Sequence, residues 1–396
     1  MAIKGIWTQM NKMYRVIIYL IALLFASCSQ SENLDLSIFT QTLYEPMYAQ
    51  GFSIKGDNDG KAILLTIKDP WQGAEGVEQM LLIDPDNLYK GVTSPNLQRI
   101  DTYAKRIVCL SSSYVAMLSA IGSQEAIVGV SGIDFISDSY VAQNRDKIGD
   151  VGYDNNFNYE MLLSLKPDIV LLFGISAAST MEVKLKELGI PYVYIGDYIE
   201  QSPLGKAEWM VAIGEIVGKR DVATTKFEAI SNRYNTLAAD IKTATTGKAS
   251  PQVMLNTPYR EAWFIPTPQS YMVRLINDAA GKVFTTDGKG NESQPINIEQ
   301  AYTWASQADV WLNLGGCNTL DELKSQNPKF AEVKAITTGR TYNNNARQTA
   351  TGGSDFWESG VVNPDRILYD LAIILHPELK LSADGEKALY YYKPLR

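Results

Sequence analysis

The sequence predicts an α/β chain with two lobes of mainly parallel sheet joined by a single long helix. A ligand cleft is expected between the lobes and a small β extension in front of them. Three observations predict this. From about residue 105, short apolar runs alternate with helical stretches, the pattern of βα units and a parallel sheet. A long helical stretch splits that alternation in two. The halves then repeat one pattern: Asn158-Tyr159-Glu160, a helix, and Asp168 before an apolar strand ending at Gly174 recur as Asn297-Ile298-Glu299, a helix, and Asp309 before a strand ending at Gly315.

Taken in order, residues 1–28 read as a targeting segment. Lys4, Lys12 and Arg15 precede the apolar run Val16–Phe25, which is long enough for a signal sequence and short for a spanning helix of about 20 residues. The run ends in Ala26-Ser27-Cys28, which resembles a bacterial lipobox and implies lipidation at Cys28. Residues 29–100 hold a polar tether and the β extension. In the extension, Phe52–Lys55 and Ala62–Ile67 flank the turn Asp57-Asn58-Asp59-Gly60, a hairpin signal, and Gln79–Ile83 is a further strand.

The first lobe spans 101–200. Strands are expected at 106–110, 126–130, 168–173 and 192–195, with helices at 112–121, 159–165 and 182–188. Residues 201–247 are the linking helices. Gly218 interrupts them, and Phe227, Ile230, Tyr234, Leu237 and Ile241 form one apolar stripe beyond it. That second helix is about 36 Å long at 1.5 Å per residue, which suits a strut between lobes. The second lobe, 248–380, has strands at 252–255 and 310–314 and helices at 271–279, 298–304 and 364–374. Residues 381–396 read as a tail.

The composition excludes several functions. Net charge is −8, with 44 acidic against 36 basic residues, which argues against nucleic acid as a partner. His376 is the only histidine, so a multi-histidine metal site is impossible. No phosphate-binding loop, dinucleotide fingerprint or nucleophile elbow occurs. An exported glycosidase using an Asp/Glu pair stays open on composition, although nothing in the sequence brings two such residues together. A lipid-tethered structural protein using the β extension is a third class. Cys109 and Cys317 lie in or beside apolar runs and read as buried free thiols.

At this point the chain resembles the substrate-binding proteins of bacterial ABC importers for iron complexes and vitamin B12. The resemblance covers roughly 100–378. It rests on Arg106–Ser111, on Asn158-Tyr159-Glu160 through Asp168-Ile169-Val170, on its echo at 297–311, and on Ser354-Asp355-Phe356-Trp357-Glu358. The closing stretch from Asp365 to His376-Pro377-Glu378 looks like a branch common in gut Bacteroidetes. The resemblance implies two α/β lobes on a backbone helix, no catalysis and no resident cofactor. It implies a monomeric periplasmic lipoprotein, held to the membrane by its lipid, that captures a ferric siderophore and delivers it to an inner-membrane permease dimer. A corrinoid ligand is the alternative: Asp355 and Trp357 match the vitamin B12 binder's motif in part, while an arginine expected shortly afterwards is absent from Glu358–Val361. Haem is a further alternative. Because His376 stands apart from the strand ends, haem would need a tyrosine ligand.

In the family, one glutamate on each lobe engages permease arginines; the matching positions are Glu160 and Glu299. Loops at strand ends line such crevices. They nominate Ser112, Ser113, Tyr114, Tyr153, Phe157, Phe173 and Ser176 in the first lobe. In the second they nominate Tyr259, Arg260, Trp263, Arg347, Asp355, Phe356 and Trp357. Aromatic faces and arginine forks suit a bulky, ring-bearing, partly anionic ligand.

Overall fold

The computed structural model describes residues 35–94, 96–153, 156–175, 177–259, 262–288, 290, 293–379, 381 and 388–396. Cys28 and the whole targeting segment lie outside them. Among the described residues, no helix is long and apolar enough to cross a membrane.

The extension is a five-stranded sheet in chain order: β1 (Gln41–Tyr44), β2 (Phe52–Gly56), β3 (Ile63–Lys68), β4 (Glu78–Ile83) and β5 (Leu97–Ile100). The first four strands pair antiparallel, and β4 pairs parallel with β5. The predicted hairpin is β2–β3. Asp57 closes its turn by accepting from the Lys61 amide at 2.8 Å. Ile54, Leu65, Ile67 and Leu81 on one face join the main core. On the other face, Leu64 and Leu82 pack under Phe39.

The extension is welded to the body. The buried Glu208 carboxyl accepts from the Tyr44 hydroxyl (2.7 Å) and from the amides of Met47 (2.8 Å), Tyr48 (2.7 Å) and Ala49 (2.7 Å). Glu200 accepts from the Gln50 and Gly51 amides and from the Trp209 indole.

The first lobe contains β6 (Ile107–Cys109), α1 (Ser112–Ala120), β7 (Ile127–Val130), α2 (Ser139–Gln143), β8 (Gly149–Asp150), α3 (Tyr159–Leu165), β9 (Ile169–Leu172), α4 (Met181–Leu188) and β10 (Tyr192–Tyr194). The sheet order is β10-β9-β6-β7-β8, with every pairing parallel. All four residues of β9 are buried, as a strand covered by helices on both faces requires.

The link is made of two packed helices, α5 (Pro203–Ile216) and α6 (Arg220–Ala244). Every residue of α5 is buried, so this helix, and not only the longer α6, is the spine of the molecule. The predicted stripe on α6 is realised: Phe227, Ile230, Tyr234 and Ile241 are buried, and Leu237 packs against the same core.

The second lobe contains β11 (Gln252–Leu255), β12 (Ala262–Ile265), α7 (Tyr271–Asp278), β13 (Lys282–Val283), β14 (Gln294–Asn297), α8 (Ile298–Gln307), β15 (Val310–Leu312), α9 (Leu320–Gln326), α10 (Lys334–Thr337), β16 (Thr341–Asn343), α11 (Pro364–Leu375) and β17 (Lys393–Pro394). Its sheet runs β13-β11-β15-β16-β17, while β12 and β14 form a separate ribbon. The stretch read as a tail therefore ends as a sheet strand, antiparallel to β16. Three successive amides, Tyr390 to Tyr392, point at the buried Asp370 carboxyl and hold that strand in place.

The repeat seen in the sequence has a structural counterpart. Asp168 accepts through its side chain from the Lys105 and Arg106 amides, and its own amide donates to the Arg106 carbonyl. Asp309 does the same with Gln252. Each aspartate thus ties the start of its strand to the first strand of its lobe. Cys109 and Cys317 are buried free thiols, and burial raises the pKa of both.

Candidate functional site

The parallel strands of each lobe present their carboxyl ends to connecting loops, where α/β folds bind ligands. In the first lobe, Ser111 caps α1 and bonds to Ser113, leaving Ser112 partly exposed beside it. Tyr114 turns inward. It is fully buried, and its hydroxyl donates to the carbonyls of Leu172 and Ile195, so it is a core residue and not a cleft residue.

The β7 and β8 exits are fastened together by Asp150, which accepts from the amides of Gly132 (3.0 Å), Ile133 (3.2 Å) and Gly152 (2.9 Å). This brings Phe135 edge-on to Tyr153 at 6.4 Å, with both rings about half exposed. Phe157 is half-buried against Tyr159, and Phe173 is half-buried at the β9 exit. Ser176 lies outside the described residues.

In the second lobe, Trp263 is also a core residue. It sits on β12 with its indole N–H donated to the Leu255 carbonyl, and its ring packs on Trp311 and Phe330. Phe356 is buried against Tyr391 and Tyr392. Tyr259 is exposed at the β11 exit, and Arg260 lies outside the described residues. The loop after β16 carries the remaining candidates. Arg347 pairs with the buried Asp355 at 2.5 Å and lies 4.5 Å above the Tyr390 ring. The aspartate keeps this guanidinium even more firmly protonated than usual. Trp357 is half exposed, edge-on to Tyr271 and Phe356.

The lobes meet between the β7 exit and this loop. The Ser137 amide donates to Glu358 at 2.8 Å, and the Ser137 hydroxyl donates to Asp355 at 3.3 Å. Thr351 donates to the Asp134 carbonyl. Gly353 lies so close to Phe135 that a Cβ there would sit 2.0 Å from the Phe135 carbonyl oxygen. Burial pushes the Glu358 carboxyl up to about 7, and the neighbouring Asp355 and Asp138 carboxylates push in the same direction.

Beside this junction is a cavity of about 600 Å³, lined from both lobes by Asp134, Ser137, Arg145, Arg347, Thr351 and Asp355 among others. Each lobe contributes one arginine paired with its own aspartate, Arg145 with Asp134 and Arg347 with Asp355. Each guanidinium keeps N–H donors beyond the one committed to its aspartate, and an anionic ligand oxygen can accept from these while the pair stays intact. Sequence reasoning found Arg347 and Asp355 and missed Asp134, Phe135, Ser137 and Arg145. The strand-end rule, applied to β7 as it was to the other strands, would have pointed at that loop.

Glu160 and Glu299 occupy matching places, in the first turn of α3 and α8. Both are exposed, and each follows an asparagine that caps its helix. Each helix runs directly into the next parallel strand, so its N-terminus lies at the carboxyl ends of the strands. Among the described residues neither carboxylate has an ion-pair partner. Glu299 borders an open groove of about 690 Å³ with Pro258, Pro328, Lys329 and Phe330.

A family model described as periplasmic binding protein matches residues 107–347, from the first residue of β6 to Arg347. The five strands of the extension fall outside that match. An uncharacterized lipoprotein of Methanocaldococcus jannaschii is 28% identical over 309 residues, covering 75% of this chain and 70% of the relative. The uncharacterized ABC transporter substrate-binding lipoprotein YvrC of Bacillus subtilis is 25% identical over 256 residues, covering 60% of this chain and 72% of its own length. Among solved structures, a periplasmic heme binding protein from Pseudomonas aeruginosa superposes with a TM-score of 0.55 at 19% identity, covering 70% of this chain and 94% of that one. A possible iron-binding periplasmic solute-binding protein from Staphylococcus epidermidis gives 0.53 at 19%, covering 69% and 100%. At these identities the structural likeness speaks to the fold.

Proposed function

The chain belongs to the periplasmic binding protein family, and from that premise we propose that it is the substrate-binding lipoprotein of an ABC importer, capturing a ferric siderophore between its lobes. It binds and releases and does not catalyse. The relative from Bacillus subtilis, which carries the name of an ABC transporter substrate-binding lipoprotein, supports the importer role. Export and anchoring through Cys28 are supported by the sequence of the first 28 residues and by the lipoprotein names of relatives.

The observation that carries the ligand class is the two-lobed cavity with one Arg–Asp pair from each side and the half-exposed Trp357 on the same loop as Arg347. Guanidinium forks recognise anionic oxygens such as those of carboxylate or catecholate chelators. An exposed indole offers a face to a ring-bearing ligand. A corrinoid is the second reading, favoured by the buried Asp355 and the half-exposed Trp357 standing on one loop. His376 is buried at the C-terminal end of α11 and offers no axial ligand to a haem in the cleft. Glu160 and Glu299 are the proposed permease contacts. The test is a binding screen of the purified mature chain against ferric siderophores, cobalamins and haem, read by thermal shift and native mass spectrometry.

A further inference from the structure

We infer that the N-terminal β extension, which lies outside the family match, positions part of the ligand-facing surface of the first lobe, with Trp71 as the positioning residue. The inference rests on the reading above that ligand binds at the strand exits.

The surface concerned is the exit of β9. Phe173 is half-buried there, and Ile175 is about half exposed. Trp71 and Gln72, from the β3–β4 turn of the extension, hold this exit. The Gln72 amide donates to the Ile175 carbonyl at 2.9 Å. Trp71 packs so closely on Gly174 that a Cβ at residue 174 would lie 2.9 Å from the Trp71 Cβ. The Trp71 ring stands edge-on to Tyr194 at 5.3 Å. The Tyr194 hydroxyl in turn accepts from the Ser179 amide at 2.8 Å, at the far end of the same connection, and donates to Glu182. One aromatic pair, half from the extension and half from the lobe, therefore fixes both ends of the β9–α4 connection.

The Trp71 turn is itself closed by hydrogen bonds. Asp69 accepts from the Gly76 amide at 2.7 Å through its side chain, and its own amide donates to the Val77 carbonyl at 2.9 Å. It is also held in register with the lobe. The Gln79 carboxamide donates to the Tyr192 carbonyl and accepts from the Tyr194 amide, closing the otherwise open edge of β10. Connections with exposed residues such as Ile175 belong to the low-stability end of a fold, and tertiary contacts of this kind are what raise it. A fixed backbone presents Phe173 and Ile175 in one geometry, which lowers the ordering cost of binding.

The test uses the full mature chain and Trp71→Ala, with Trp71→Phe as the conservative variant and Gly174→Ala as an approach from the opposite side, should Trp71→Ala fail to fold. Amide hydrogen exchange is measured for residues 173–179, and affinity is measured for ferric desferrioxamine B and cyanocobalamin. The expected result is that exchange in 173–179 rises about tenfold or more while β6 and β9 stay protected. Affinity for whichever probe the native chain binds falls by about tenfold, and Trp71→Phe restores both. Unchanged exchange in 173–179, a uniform rise across the lobe, or faster exchange with unaltered affinity would each overturn the inference. If neither probe binds the native chain, exchange alone decides the bracing, and the ligand reading is decided separately by the full panel of ferric siderophores, cobalamins and haem.

Discussion

Ser137 and Glu358, carried by opposite lobes, are joined by a hydrogen bond of 2.8 Å from the Ser137 amide to a buried Glu358 carboxyl oxygen. That carboxyl is raised from 4.5 to about 7 by burial, with Asp355 and Asp138 adding to the effect and Arg347 already committed to Asp355. The sign of the pH dependence follows. A raised carboxyl holds its proton in the folded state while the unfolded chain releases it, so stability is full below about 4.5 and falls as pH rises to about 7. The loss is on the order of 3 kcal/mol. Glu358→Gln should flatten this stretch of the profile, as read by melting temperature between pH 5 and 8. Parallel profiles for the two proteins would show that Glu358 does not carry the effect.

Gly353 should tolerate no side chain while the lobes touch. Gly353→Ala places a Cβ against the Phe135 carbonyl and should cost about 1–3 kcal/mol or spread the lobes. Small-angle scattering and thermal melting together check this. An unaltered radius of gyration with an unaltered melting temperature would mean the contact is dispensable.

Glu208 ties residues 44–49 to the spine through four donors, three of them amides with nowhere else to go. Glu208→Ala should destabilise the protein by about 3 kcal/mol or more, since each stranded amide costs about 1–3 kcal/mol. Denaturant unfolding measures it, and a change below about 1 kcal/mol would show the extension to be loosely attached.

The glutamates proposed to dock the permease make a separable prediction. Changing both Glu160 and Glu299 to Ala should leave melting temperature and ligand affinity within error of the native protein while abolishing uptake in cells. Undiminished uptake would remove them from the docking surface.

Much of the architecture was legible because burial imposes a period on the sequence. The α6 stripe at Phe227, Ile230, Tyr234 and Ile241, and the apolar run of β9, declare themselves. The paired Asp168 and Asp309 could be seen as a repeat before their shared backbone contacts were known. Aromatics were harder. Tyr114 and Trp263 lie near strand ends, but whether such a ring faces the cleft or the core depends on which carbonyl its polar atom finds, Leu172 and Ile195 for one and Leu255 for the other. Glu200 and Glu208 carry no local sign of their roles, because their partners lie some 150 to 160 residues earlier. The last strand escaped notice because two residues of β17 carry no period, and what holds it, the Asp370 carboxyl and the burial of Tyr391, Tyr392 and Leu395, is long-range. The lobe junction at Ser137, Gly353 and Glu358 depends on long-range geometry that no local pattern encodes.

The central claim is capture of a metal chelate between the lobes, and the most direct measurement is tryptophan fluorescence during titration of the purified mature chain with a panel of ferric siderophores, haem and cobalamins. Trp357 is half exposed on the loop that carries Arg347, whereas Trp263 is buried in its lobe, so quenching should come chiefly from Trp357. Saturable one-to-one quenching by at least one ferric chelate or corrinoid is expected, largely lost in Trp357→Phe and weakened in Arg347→Ala. No binding by any member of the panel, with the protein folded and free of co-purified ligand by native mass spectrometry, would contradict it.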